Sequence, residues 1–326
     1  QIALSFVLLV GAGLFVRSLQ AARSIDPGFD VGPAAMVWPM TELSGYDTPQ
    51  ERADVALRMR DALLSDPRIA RVAVADRLPL GVGVQTASYE WPDVAPSSSA
   101  SGGWDIDNAR VGPGYFETMG VPLIRGRPFT DDDLSGDRVA IVSQAFVDRF
   151  YPGRDVLGLS IRGGGDQAIR IVGVAADTKV RTLGEDPRPY VYEMATEAMF
   201  GGLQYVVRGE GTADELLTAA LGVLERIDPD LVFLETKTMN EHLALLLFPP
   251  RMAAGLLTIF GALALLLAAV GIWGVVSHAV SRRTREVGIR VSLGASGGEV
   301  VRMLVGSGMR LVGVGIVAGL LLAAVA

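Results

Sequence analysis

Four places in this 326-residue chain hold residue types that could do chemistry. Asp131-Asp132-Asp133 offers carboxylates for a hard cation but lacks the spaced oxygen ligands of a calcium loop, so it reads as a solvated turn. Gly163-Gly164-Gly165 could let backbone approach a phosphate, yet no Lys follows it. No G-x-x-x-x-G-K-S/T loop occurs either, so the chain does not itself hold ATP. His242, beside the apolar Leu243 to Leu247, reads as an interfacial helix residue. His278 falls inside a long uncharged stretch, where a hydrogen bond to a neighbouring helix accounts for it. With these two histidines and no Cys, neither a thiolate nor a histidine-based metal centre is expected. No cofactor is expected, and no nucleophile, base and metal constellation marks an enzyme.

The distinctive chemistry is basic. Ser281-Arg-Arg-Thr-Arg-Glu-Val-Gly-Ile-Arg-Val-Ser-Leu-Gly-Ala295 follows directly on Met252 to Val280, twenty-nine residues without a formal charge. That length exceeds the roughly 20 residues a helix needs to cross a hydrocarbon core. Arg282, Arg283, Arg285 and Arg290 crowd one end, which the positive-inside rule places in the cytoplasm. Glu286 and Arg290 form an i, i+4 pair in the favoured orientation, and Ile289 and Leu293 share a face, so a short amphipathic helix is expected. Gly294 suits its left-handed C-cap, and Ser296-Gly-Gly-Glu299 is a capping box opening the next apolar run. There Gly315 and Gly319 form a GxxxG pattern for close helix packing, and Gly271 and Gly274 in the preceding span are assigned the same role. A plain topology anchor needs charge alone; the capped helix with apolar residues calls for a partner groove as well.

Half the residues are hydrophobic, and the excess sits toward the two ends. Residues 1 to 16 and 311 to 326 carry no charge, and the chain is read as a fragment cut within a membrane helix at each end. Arg17 and Arg23 flank the outer end of the first span, against the positive-inside rule. Net charge is −7; residues 281 to 302 contribute five Arg against Glu286 and Glu299, giving +3 there and −10 elsewhere. A basic cluster confined beside the membrane argues against nucleic-acid binding.

The stretch from about Ala22 to about Leu247 must then fold on the outer side. Thr48-Pro-Gln-Glu51 is a capping box with Pro at N1, followed by Val55, Met59, Ala62 and Leu63 and stopped by Asp66-Pro67. Thr212-Ala-Asp-Glu215 repeats it, with Leu216, Leu217, Ala220, Leu221 and Leu224 behind and Asp228-Pro229 as the stop. Strand-like runs flank each helix: Ala34 to Met40 and Ile69 to Ala75, then Leu203 to Arg208 and Leu231 to Glu235. Two β-α-β units separated by an insertion predict a split ferredoxin-like, porter-like subdomain. The insertion, about Gln85 to Ala195, reads mainly as short strands. It holds a short helix around Tyr115 to Met119, with Tyr115, Phe116 and Met119 as core, and a hairpin of Leu159 to Arg162 with Ile169 to Ala175.

At these residues the chain resembles the FtsX-like permease family: Ala269-Val-Gly-Ile-Trp-Gly-Val275 and the run Ser281 to Ala295 look like that family's second span and the helix after it. The outer region resembles the MacB-like periplasmic core domain. Ile25-Asp-Pro-Gly-Phe-Asp30, Leu78-Pro-Leu80, Gly114-Tyr-Phe-Glu-Thr-Met-Gly120, Arg125-Gly-Arg-Pro-Phe129, Tyr151-Pro-Gly153 and Ile171-Val-Gly-Val174 support this. The resemblance implies a permease subunit of an ABC transporter that transmits force instead of forming a channel. A cytoplasmic ATPase subunit would dimerise on ATP and push on a coupling helix, here Arg282, Arg283, Arg285, Glu286, Gly288, Ile289, Arg290, Leu293, Gly294 and Ala295. A four-helix membrane stalk would relay the push to the outer domain.

The expected fold is a membrane α-helical stalk plus an α+β periplasmic domain. Its parts are helix 1 over 1–21 (truncated) and a periplasmic core over 22–247, porter-like at 30–84 and 200–240 with a β-rich insertion at 85–199. Helix 2 over 248–280, the coupling helix over 281–296 and helix 3 over 297–326 (truncated) complete it. Expected partners are the ATPase subunit, a second permease half or copy, a periplasmic or outer-membrane protein and membrane lipid. The expected location is the bacterial inner membrane, multi-pass. The competing reading is a membrane receptor with an outer ligand-binding domain and a soluble cytoplasmic output. Only fifteen residues separate Val280 from Ser296, which opens another hydrophobic helix, and this favours the permease.

Overall fold

The computed structural model describes residues 25–81, 83–91, 94, 103–163, 168–246 and 248–282, with single positions at 10, 11, 13, 14, 17, 313 and 317. The chain divides into two compact units, one of which is Ile25–Leu246.

Within that unit, two similar segments build one sheet. The first runs β1 (Ala35–Pro39), α1 (Pro49–Ser65) and β2 (Ile69–Ala75). Both capping boxes form. Thr48 Oγ1 accepts from the Glu51 amide at 3.2 Å, while Glu51 Oε2 accepts from the Thr48 amide at 3.0 Å. After the insertion, β10 (Gln204–Gly209), α4 (Ala213–Ile227) and β11 (Phe233–Thr238) repeat the pattern, with Thr212 and Glu215 as the box. β11 begins two residues later than its apolar run suggests. The Asp228 turn takes Leu231, whose amide bonds the Asp228 carbonyl, and the Val232 amide bonds Ser44 Oγ.

The strand order is β11-β1-β10-β2, every neighbour antiparallel. Alternation splits each strand between two faces. Val37, Val74, Tyr205 and Val207 cluster with Val55, Met59 and Leu63 of α1 and Leu216, Ala220 and Leu224 of α4. Met36, Ala73, Ala75 and Val206 face the other way, into a cluster with Tyr115, Phe116, Met119, Tyr190 and Tyr192. Coverage on both faces explains why β1, β2 and β10 read as largely apolar, whereas β11 at the edge alternates and exposes Leu234.

The insertion supplies β3 (Gln85–Glu90), β4 (Trp104–Val111), α2 (Tyr115–Met119), β5 (Leu123–Gly126), β6 (Val139–Ser143), α3 (Gln144–Phe150), β7 (Ser160–Gly163), β8 (Ala168–Ala175) and β9 (Tyr190–Met194). β4, β3, β7, β8, β6 and β9 pair in succession, and β9 returns to β4 in parallel, closing a six-stranded ring. Closure leaves those strands without a bare edge. Tyr89, Ile106, Val142, Phe146, Ile161, Ile171 and Val191 share the cluster belonging to this ring. Gly163 sits where any Cβ would stand 2.3 Å from the Tyr89 ring, so that ring demands a glycine opposite it. The sequence does not announce α3 as a helix, because its seven residues are too few for a period to show. Ser143 caps it through the Phe146 amide at 3.2 Å.

Ring and four-stranded sheet join through one residue pair, Ala75 with Val111. They nevertheless share a core, since Tyr115, Phe116 and Met119 pack against side chains from both. The three are core residues as expected, and the core they join extends to the four-stranded sheet as well as the insertion.

Beyond β11 come α5 (Met239–Leu246) and, after Leu247, α6 (Phe248–Arg282). α6 starts with Pro249 and Pro250 in its first turn, where no intrahelical amide is needed. Its 35 residues span about 50 Å at helical rise. Trp273 is 73% and Leu267 63% exposed. Thr258 and Ser281 turn their hydroxyls back to the carbonyls of Ala254 and Ser277. Among the described residues it is the one helix long and apolar enough, over Met252–Gly271, to cross a membrane.

Candidate functional site

Of the residues expected to couple to an ATPase, Arg282 is the last of α6. Arg283, Arg285, Glu286, Gly288, Ile289, Arg290, Leu293, Gly294 and Ala295 lie outside the described residues, as do Gly315 and Gly319. Gly271 and Gly274 lie exposed on α6, and a Cβ on Gly274 would meet nothing within 4 Å.

What the structure does build is the attachment of α5, the helix from which the chain runs on into α6. A capping box fixes its start, because Glu241 Oε2 accepts from the Thr238 amide at 2.8 Å and Thr238 Oγ1 accepts from the Glu241 amide at 3.3 Å. The Met239 amide bonds the Ala34 carbonyl at 2.9 Å, tying the helix to the start of β1. Met239 is buried in the shared core, with Leu243 packed against it one turn on. His242 lies between them and is 5% exposed, a buried residue of the outer unit instead of the interfacial one expected.

Nε2 of His242 stands 2.9 Å from the Pro79 carbonyl oxygen. A carbonyl can only accept, so Nε2 carries the hydrogen. Burial holds the imidazole pKa below its ordinary value and so favours the neutral ring. The peptide it grips is unusual. Leu80 has φ 58°, the one non-glycine residue with positive φ among the described residues. That conformation costs an L-residue roughly 1–2 kcal/mol. It persists because the peptide is held on both sides: its carbonyl by His242, and its N–H, that of Leu80, by the Val180 carbonyl at 2.8 Å. Nothing in the residue types announces this. Leu78-Pro-Leu80 stands out in the sequence only as a motif, and Pro79 restricts the residue before it, not the one after.

Val180 belongs to the segment between β8 and β9, which is itself pinned. Glu185 accepts from the Val180 and Arg181 amides. Asp177 Oδ1 accepts from the Ala145 amide of α3 at 2.8 Å, and Thr178 Oγ1 lies 3.0 Å from the Tyr192 hydroxyl. The Lys179 amide bonds the Pro27 carbonyl at 2.8 Å.

Next to the clamp is a cleft of about 310 Å³ lined by Trp38, Asp76, Arg77, Leu234, Lys237 and His242 among others. Asp76 accepts from the Arg110 amide at 2.8 Å, and burial raises its pKa. Deeper in the ring, the Glu193 carboxylate, 5% exposed, takes the Tyr89 hydroxyl at 2.6 Å and the Arg138 guanidinium at 2.7 Å. Burial, with that carboxylate's charge, pushes the Tyr89 phenol well up. Among the described residues no group of three or more His, Cys, Asp or Glu is placed to hold a metal. The Asp131 to Asp133 turn is engaged instead: Asp133 by Arg127 at 2.7 and 2.8 Å, Asp131 by Arg60 at 2.8 Å. Together the contacts of Glu241, Met239 and His242 hold α5 against the rest of the outer unit.

Known proteins share these domains. A family described as MacB-like periplasmic core domain matches residues 2–221, and one described as FtsX-like permease C-terminal matches residues 258–326. The ABC transporter permease YknZ of Bacillus subtilis is 26% identical over 197 residues, 59% of this chain and 49% of that protein. The macrolide export ATP-binding/permease protein MacB of Chromobacterium violaceum is 26% identical over 208 residues, 61% of this chain and 32% of that protein. This chain thus spans half or less of the length of these relatives. Among solved structures, the periplasmic region of MacB from Actinobacillus actinomycetemcomitans superposes with a TM-score of 0.45 at 12% identity, covering 64% of this chain and 90% of that one. The extracellular domain of YknZ from Gram-positive bacteria gives 0.37 at 20% identity, covering 52% and 81%. Since the first family takes in most of the outer unit and the second most of α6 and the residues beyond it, the chain belongs to the ABC transporter permeases that join a MacB-like periplasmic core domain to an FtsX-like permease domain.

Proposed function

We propose that the chain is the permease subunit of an ABC transporter and that it passes ATP-driven conformational change from a cytoplasmic ATPase to its outer domain. The observation that carries this reading is the direct covalent succession of a capped, docked helix, α5, and a 35-residue apolar helix, α6, ending at the Arg282 cluster. Arg282 to Ala295 is the ATPase contact, with Leu293 and Ile289 filling its groove and the arginines meeting acidic groups. ATP hydrolysis belongs to the ATPase. The strand order β11-β1-β10-β2 supports the split ferredoxin-like, porter-like subdomain, with residues 85–199 inserted into it. Residues 1–21, 248–280 and 297–326 serve as stalk helices in the inner membrane, with a second permease half or copy as partner. The transported or regulated species is one handled outside the membrane, in efflux, lipoprotein handling or envelope control, with a periplasmic or outer-membrane partner.

The test is co-purification in detergent with candidate ATP-binding subunits, comparing the unaltered protein with Glu286→Lys plus Leu293→Asp. Retention of the ATPase by the unaltered protein, and its loss in the variant, is expected. Failure of the unaltered protein to retain any, or equal retention by both, overturns the coupling role.

A further inference from the structure

We propose that the Pro79–Leu80 peptide is the joint through which α5 moves the inserted ring, and that His242 and Leu80 are its positioning residues. The inference rests on the transmitting role proposed above and names where transmission enters the outer domain. One peptide unit faces both ways. Its carbonyl oxygen receives His242 Nε2–H from α5, and its N–H donates to Val180, in the segment bonded to α3, Tyr192 and Pro27. Hydrogen bonds at the two ends of one peptide polarise each other, so loosening one weakens the other.

The same peptide leads into the left-handed Leu80, whose side chain is 1% exposed in the shared core with Leu78, Val180 and Met239. Strain retained at a fully packed position is a spring held by its surroundings, and a peptide held only by two hydrogen bonds and packing can flip between discrete states. The backbone bond from α5, Met239 to Ala34, ties it to β1 and would carry movement to the four-stranded sheet, while Met239 and Leu243 pack in the core that sheet and ring share. His242 is the α5 side chain that hydrogen-bonds the Pro79–Leu80 peptide directly. Its neutral, buried state suits the role, since the bond then survives without a solvent-exposed charge.

The experiment uses the full chain in detergent. His242→Leu keeps buried apolar volume and removes the donor; His242→Gln keeps a donor near the Nε2 position. In His242→Leu, amide exchange at Leu80 should rise about three- to tenfold, with Val37 and Tyr205 unchanged, and His242→Gln should restore it. A merely structural role for His242 would loosen all three amides together. With the ATPase bound, the Leu variant should still hydrolyse ATP while residues 176–185 cease to respond to nucleotide. Leu80 exchange unchanged in His242→Leu, or a persistent nucleotide response at 176–185, overturns the proposal. If no ATPase binds at all, the transmitting role fails, and the exchange comparison still decides whether the joint exists.

Discussion

The outer unit and α6 satisfy themselves in opposite ways. In the outer unit most large apolar side chains are covered by its own fold, and the charged groups that go inside take partners: Glu193 with Tyr89 and Arg138, Arg208 with Asp30 and the Thr118 carbonyl. α6 displays Leu266, Leu267, Val270 and Trp273, and turns the Thr258 and Ser281 hydroxyls back on its own backbone. In the first region, then, stability depends on internal complementarity, while the second leaves its apolar side chains exposed for its surroundings to cover. Mutations should therefore sort by region, with volume and pairing deciding in one and polarity alone in the other.

The largest effect is expected from breaking the ring's buried charge. Glu193→Ala strands the Tyr89 hydroxyl and the Arg138 guanidinium, and should destabilise the unit by about 3 kcal/mol, measured by chemical unfolding followed at a tryptophan outside the ring such as Trp38. Nearly as large but of different origin, Leu267→Arg should impair insertion at a cost of about 2.5–3.5 kcal/mol, read as the ratio of integrated to extracted chain. Leu267→Ala at the same site should leave the integrated fraction high, a contrast that no core position of the outer unit will reproduce. Smaller still, Thr48→Ala and Thr212→Ala each remove one half of a capping box and should cost about 1 kcal/mol apiece, additively, in the same unfolding assay.

The smallest effects are in pH. Hydrogen bonds from Arg127, aided by Thr130, hold the Asp133 pKa down to about 2 against 3.8 for the free group. A depressed carboxylate stabilises the fold above the unfolded value, and that contribution drains away as pH falls from about 4 to 2; Arg127→Gln should flatten the decline. His242 is also depressed, but it is a base. Its folded form binds fewer protons than its unfolded form, so stability falls as pH drops below about 6.5 and levels off below the folded pKa. His242→Gln should abolish that inflection and leave the acidic one.

Much of the outer unit is legible from local rules. Both capping boxes, the stops at Asp66 and Asp228, and β2 over Ile69 to Ala75 come from short-range hydrogen bonding and periodicity, which a sequence displays directly. The pairing of β7 with β8 across the glycine run is equally local. Ring closure is not: β4 meets β9 in parallel, Asp107 opposite Tyr190, and nothing in either strand specifies a partner so distant. The clamp is hidden for a second reason. Leu80 adopts a conformation its residue type disfavours, and His242 reads as interfacial because its apolar neighbours precede a membrane helix, whereas its burial comes from Leu78 to Leu80 far back in the chain. Sites where local preference loses to tertiary context are the ones a sequence conceals, and here that site is the candidate joint.

The most direct test of transmission is amide exchange across residues 25–246 in the permease bound to its ATPase, with and without a non-hydrolysable ATP analogue. Altered protection within that outer unit, lost when Leu293→Asp weakens the cytoplasmic contact, is expected; protection changes confined to the ATPase and the coupling segment would contradict force transmission.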